Sequence, residues 1–168
     1  MELKIYQQEA LNTLTSFCKN YKESSGKVEE AFNNTLKNSE QFSEPYEPYL
    51  KVKESTAPYI CIRIPTGGGK TLIAAKSLKP VIEELYENDK TFLVIWLAPK
   101  DIIVNQTIKA LKDPKHPYRK AIDEDFPSTS INVMKLKDAL TNTFNKKTDI
   151  TILVGSMQSF NVGNDDIR

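Results

Sequence analysis

Seven residues limit this chain more than any others: Pro65-Thr66-Gly67-Gly68-Gly69-Lys70-Thr71. Consecutive glycines tolerate positive φ and add no side-chain bulk, so the backbone can curl and aim successive N–H groups at one point. The flanks matter equally. Tyr59 to Ile64 is a short, β-branched run that reads as a strand. After the loop, Leu72, Ala75, Leu78, Val81, Ile82 and Leu85 recur at helical spacing up to Glu87, with Pro80 expected to kink or split that helix. A plain turn between strand and helix needs one or two glycines and gives no reason for Lys-Thr to follow at once. Strand, glycine loop, Lys-Thr and helix together form the arrangement that cradles phosphates. Backbone N–H groups supply donors, Lys70 supplies a mobile charge for the β and γ phosphates, and Thr71 offers a hydroxyl to Mg²⁺. The loop therefore predicts ATP and Mg²⁺ as ligands, held by Thr66, Gly67, Gly68, Gly69, Lys70 and Thr71, with Lys70 and Thr71 as the catalytic pair. One position departs from the usual pattern: Ile64 stands where a further glycine is common.

The remaining chain alternates helical and strand patterns. Ala10, Leu11, Leu14, Cys18 and Tyr21 mark an amphipathic helix. Residues 22–57 are mostly polar and broken by prolines, and read as an insertion holding one short helix from Val28 to Leu36. Phe92 to Ala98 is almost wholly apolar, as expected of a strand buried on both faces. A helix is expected from Asp101 to Leu111, loop over 112–130, a short strand from Ile131 to Met134, a helix from Lys135 to Thr143, and a strand from Asp149 to Val154. Strands alternating with helices imply an α/β fold with a mostly parallel sheet flanked by helices.

Charge bears on partners. With 23 basic and 22 acidic residues the net charge is +1, so there is no global attraction to nucleic acid, and any such contact must be local. The N-terminus is too polar for a secretion signal, and the longest apolar stretch falls far short of the ~20 residues that span a bilayer. A soluble, cytoplasmic protein with no membrane partner is the expectation. Cys18 and Cys61 sit in no metal-binding pattern and His116 is the only histidine, so both cysteines read as buried free thiols.

Three further stretches carry a family resemblance. Tyr6-Gln7-Gln8-Glu9-Ala10 precedes the glycine loop, Ala98-Pro99-Lys100 through Gln106 follows it, and Val154-Gly155-Ser156-Met157-Gln158-Ser159 ends the last strand. In this order they resemble the first, RecA-like P-loop NTPase lobe of superfamily 2 helicases and translocases, and most of all the restriction subunit of type III restriction enzymes. The resemblance implies that Gln7 reads the adenine edge, since an amide offers a donor and an acceptor together. It implies that Pro99, Lys100 and Gln106, then Gly155 and Ser156, hold the backbone of double-stranded DNA. Lys100 replaces the more usual threonine. A DNA-modification (methyltransferase) subunit is a partner implied on the same ground.

Such motors also need an acid at the end of an apolar strand to hold Mg²⁺ and position water. Asp123-Glu124-Asp125 and Asp165-Asp166 follow no such strand, and Glu124 reads as a solvated loop acid. The expectation is therefore an N-terminal part of the first motor lobe, with negligible hydrolysis alone and apolar surface exposed by an incomplete sheet. Two alternatives stay open: another superfamily 2 motor of RecQ-like or type I restriction kind, and a non-catalytic nucleotide-binding module.

Overall fold

A computed structural model describes residues 2–37, 57–86, 91–139 and 148–160. The chain divides into two compact units, Met1–Glu87 and Asn88–Arg168.

Among its described residues the first unit holds four helices and no strand. Helix α1 spans Ile5–Glu23 and buries Leu11, Leu14, Phe17 and Cys18, the three-and-four spacing of one helix face. Its end turns sharply through Ser25 (φ 54°) and Gly26 (φ 81°), where the Gly26 N–H donates to the Tyr21 carbonyl at 2.9 Å. The reversal lays α2, Val28–Lys37, back along α1. Leu14, Phe17, Cys18 and Ala31 form the centre of this core, and Ile62, Val81 and Leu85 pack against it. The helix expected from Val28 is thus present, inside the stretch read as an insertion. The rest of that stretch, 38–56, lies outside the described residues.

Helices α3, Lys70–Lys76, and α4, Leu78–Leu85, replace the single expected helix. The break at Ser77 follows from Pro80, which has no N–H to offer the Lys76 carbonyl and whose ring would crowd it. Pro80 falls in the first turn of α4, where a missing N–H costs nothing. The Ser77 hydroxyl donates to the Ile73 carbonyl at 2.7 Å and secures the end of α3.

One expectation fails here. Residues 58–65 form neither strand nor helix. Tyr59 and Ile60 are 54% and 44% exposed, while Ile62 turns into the helical core. A β-branched run becomes a strand only when a neighbour completes its hydrogen-bond ladder, and this segment is instead spent on helix packing.

The second unit is a parallel three-stranded sheet with helices, among the described residues. Strand β1 is Phe92–Ala98. Helices α5, Asp101–Lys112, and α6, Pro117–Asp125, lead to β2, Ile131–Lys135. The short α7, Leu136–Ala139, precedes β3, Ile150–Ser156. The order is β1-β3-β2 and both pairings are parallel. The central β3 is buried along its whole length, as its mostly apolar run favours, with Thr151 and Ser156 buried among the apolar residues. On edge strand β1, by contrast, Leu93, Ile95 and Leu97 stay exposed, so the expected burial of both faces is met on one only. The 112–130 stretch is not all loop. Pro117 opens α6 rather than breaking it, because the first helical position needs no N–H, and His116 caps the helix by accepting from the Tyr118 N–H at 3.2 Å. Ala121 and Ile122 bury the inner face of α6, and Asp123, Glu124 and Asp125 form its last turn.

Register is pinned at the sheet's lower end. The Asp149 carboxylate accepts from both the Ser130 N–H (2.8 Å) and hydroxyl (2.9 Å), and the Ser130 carbonyl accepts from the Ile150 N–H (3.0 Å). These bonds set Ile131 opposite Ile150.

Candidate functional site

The glycine loop is a compact turn. Gly67 and Gly69 adopt φ of 77° and 84°, which side-chain-bearing residues rarely reach. Gly69 is also the residue from which α3 starts, so Lys70 and Thr71 occupy its first two positions. The Gly68 N–H and the Lys70 ammonium both donate to the Pro65 carbonyl, at 2.9 Å and 3.1 Å. The first bond closes a four-residue turn, and the second folds the Lys70 side chain back over it. A Cβ built on Gly67 meets nothing within 4 Å, so this side of the loop is open. Gly68 is confined instead: its Cβ would lie 2.6 Å from Ile64 Cγ2. The bulk of Ile64, unusual for the pattern, is accommodated because Gly68 has no side chain.

The first turn of α1 lies against the loop. The Gly68 carbonyl accepts from the Tyr6 hydroxyl at 3.0 Å and from Gln7 Nε2 at 2.8 Å. Gln7 is 5% exposed, and its Oε1 accepts the Lys4 N–H at 3.0 Å, capping α1 from within. A glycine loop with two positive-φ residues, followed by a lysine and a threonine at a helix start, has the residue types a polyphosphate with a bound Mg²⁺ needs: the Lys70 charge is at hand, and the Thr71 hydroxyl is a hard oxygen ligand.

In the second unit, the carboxyl ends of β2 and β3 and the first turn of α5 enclose a cavity of about 160 Å³. Its polar lining comes from Asp101, Asn105, Lys135, Lys137, Gly155 and Ser156. Open parallel sheets place ligands at this edge of their strands. Gly155 permits a close approach, since its Cβ would sit 2.9 Å from that of Leu136.

A family model described as type III restriction enzyme, res subunit, matches residues 1–167. The chain belongs to that family. No curated protein and no solved structure matches it. Membership makes the chain part of a RecA-like P-loop fold of the superfamily 2 helicase type and implies an ATP-dependent, helicase-like motor. The parallel sheet with flanking helices agrees with that fold. Among the described residues no helix is long and apolar enough to cross a membrane.

In this res-type chain the predicted residues fall into three groups. Thr66 to Thr71 and Gln7 come together in the first unit. Gly155 and Ser156 line the cavity of the second, and Ser156 is buried. Pro99, Lys100 and Gln106 form a third group: all are exposed, and Lys100 is the residue before α5 and makes no side-chain cap bond to it. Sequence reasoning missed Tyr6, whose hydroxyl doubles the bond from Gln7, and the pair Lys135 and Lys137. The lysines were legible as charges directly after an apolar strand, but only β3 pairing shows that they share a cavity with Gly155. Glu124 is exposed but belongs to α6, not to a loop. Asp165-Asp166 lies outside the described residues.

Cys18 is buried as expected, but Cys61 is exposed, because the segment that carries it forms no strand.

Proposed function

We propose that this chain supplies the ATP-binding part of a DNA-dependent ATPase and translocase of a type III restriction endonuclease. The observation that supports the reading is the loop itself: Gly67 and Gly69 at positive φ, an open side at Gly67, and Lys70-Thr71 starting α3 with the lysine folded back over the turn. Thr66 to Thr71 would hold the nucleotide, with Gln7 beside them. Mg²⁺, when bound, would screen the phosphate charge and polarise the scissile bond. Lys70 would exchange the Pro65 carbonyl for a phosphate oxygen, and Thr71 would present its hydroxyl to the metal. Because the lysine already points into the turn, it needs only a change of acceptor.

The DNA reading rests on the strand ends. Pro99, Lys100 and Gln106 after β1, and Gly155 and Ser156 at the end of β3, are our candidates for the DNA backbone. Lys135 and Lys137 join them, since they line the same cavity as Gly155. Such contacts position a duplex without reading its sequence. A methyltransferase subunit as partner and a cytoplasmic setting complete the proposal, on the resemblance to res subunits alone.

The test is DNA-stimulated ATP hydrolysis by the full-length protein. Lys70→Ala and Thr71→Ala should each abolish turnover while leaving the thermal midpoint unchanged. Normal turnover by Lys70→Ala would refute the motor assignment. Tight ATP binding by the wild type without any turnover would favour a nucleotide-binding module instead.

A further inference from the structure

We propose that Tyr6 and Gln7 are positioning residues: together they hold the Gly68 carbonyl and thereby aim the Gly69 N–H into the phosphate cradle. The proposal rests on the reading of the loop as a polyphosphate site, and it gives Gln7 a task other than recognition of the base.

The geometry is specific. One carbonyl oxygen receives two side-chain donors from successive residues of α1, at 3.0 Å and 2.8 Å, across more than sixty residues of chain. A peptide unit is planar and trans, so its C=O and the following N–H point in opposite directions. Fixing the Gly68 carbonyl toward α1 therefore fixes the Gly69 N–H away from it. Glycine peptides otherwise turn easily, and a run of three would sample many orientations. A cradle whose donors must be found anew at each binding event binds more weakly than one already ordered. Tyr6 and Gln7 supply that order from outside the loop. Contact is close enough that a Cβ on Gly69 would come within 2.6 Å of Gln7 Nε2.

The same contacts leave Gln7 little to offer an adenine. Its Nε2 serves Gly68, its Oε1 serves the Lys4 N–H, and the side chain is buried. Reading a base edge needs a donor and an acceptor that face the ligand. Gln7 directs its pair to the chain's own backbone.

Three ligands separate the possibilities: ATP, GTP and inorganic tripolyphosphate, which has no base. Dissociation constants are measured by calorimetry for the full-length protein and its Tyr6→Phe, Gln7→Ala and double variants, with urea midpoints alongside. Each single variant should weaken all three ligands by the same factor, roughly 3- to 10-fold for one neutral hydrogen bond. The double variant should lose more than the product of the singles, because each single leaves one donor on the carbonyl. Loss of ATP affinity alone in Gln7→Ala would overturn the proposal and assign Gln7 to the base. Lower urea midpoints with unchanged tripolyphosphate affinity would also overturn it, leaving the two side chains to hold α1 only. Lys70→Ala is the control for the underlying reading: if it keeps wild-type tripolyphosphate affinity, the loop is no phosphate site and the clamp falls with it. If Lys70→Ala loses that affinity while Tyr6→Phe and Gln7→Ala keep it, only the clamp is refuted.

Discussion

The Lys70 ammonium donates to the carbonyl of Pro65, five residues earlier, at 3.1 Å. The bond is exposed, so water can replace either partner at little cost. Its stabilising effect on the unliganded protein should therefore be small, whereas the same ammonium, once moved to a phosphate oxygen, should contribute much to ligand binding. Lys70→Ala should change unliganded stability by no more than ~0.5 kcal/mol. Wild-type protein should gain about 2.7 kcal/mol at ATP concentrations ~100-fold above its dissociation constant, and the variant almost none. Thermal melts with and without ATP and Mg²⁺ measure both. An equal ATP-induced shift in the two proteins would contradict the role given to Lys70.

A second prediction concerns pH. The Asp149 carboxyl is held below its ordinary range, first by the backbone N–H of Ser130 and then by the Ser130 hydroxyl. A depressed carboxyl adds stability that is present above its unfolded value of ~3.9 and is lost as pH falls through the lower folded value. Asp149→Asn should accordingly be less stable than wild type near neutral pH, with the gap closing below about pH 4. Urea midpoints across that range are the measurement. A gap that stays constant into acid would mean that the charge of Asp149 contributes nothing to the pairing of β2 and β3.

Thiol chemistry separates the two cysteines. Burial, with a further contribution from the Glu84 carboxylate, pushes the Cys18 thiol up to about 11. Alkylation proceeds through the thiolate and needs access. Iodoacetamide at about pH 8 should therefore modify Cys61 and spare Cys18 in the folded protein, and modify both in urea. Mass spectrometry of the adducts decides. Equal labelling of Cys18 in the folded state would show that the α1 and α2 core opens readily.

Much of the architecture was written in local patterns, and the exceptions have physical causes. Apolar-rich runs marked β1 and β3, although only the central β3 is buried on both faces. Pro80 marked the division between α3 and α4. Tyr59 to Ile64 misled because β-branched composition records a preference, not the presence of a pairing partner. Helix α6 was hidden by Pro114, Pro117 and Pro127, which read as breakers although Pro117 sits where proline starts a helix. For the candidate site, spacing and residue type singled out Thr66 to Thr71, and the structure draws them into one turn and helix start. The double bond to Gly68 could not, because nothing in Tyr6-Gln7 reveals that both side chains end on one distant carbonyl. The partnership of Lys135 and Lys137 with Gly155 was hidden for the same reason: it exists only through the register of β2 on β3.

That register yields the last prediction. Lys135 ends β2 opposite Val154, one residue before Gly155, and Lys137 follows on α7. Both line the cavity with Gly155 and Ser156, while Asp101 on α5 brings an opposing charge. If a DNA phosphate is held there, each lysine neutralises part of its charge and displaces counterions from the duplex. Lys135→Ala and Lys137→Ala should weaken binding alike for unrelated duplexes, and each should lower the salt slope by about 1. Asp101→Asn should act in the opposite direction, because it removes a repulsive carboxylate from the same wall. Fluorescence anisotropy over a salt series, with two duplexes of different sequence, measures all of this. A lysine variant that loses affinity for one sequence only would place that residue on a base edge. Variants with unchanged affinity and salt slope would remove this cavity from the DNA path and leave Pro99, Lys100 and Gln106 as the remaining candidates.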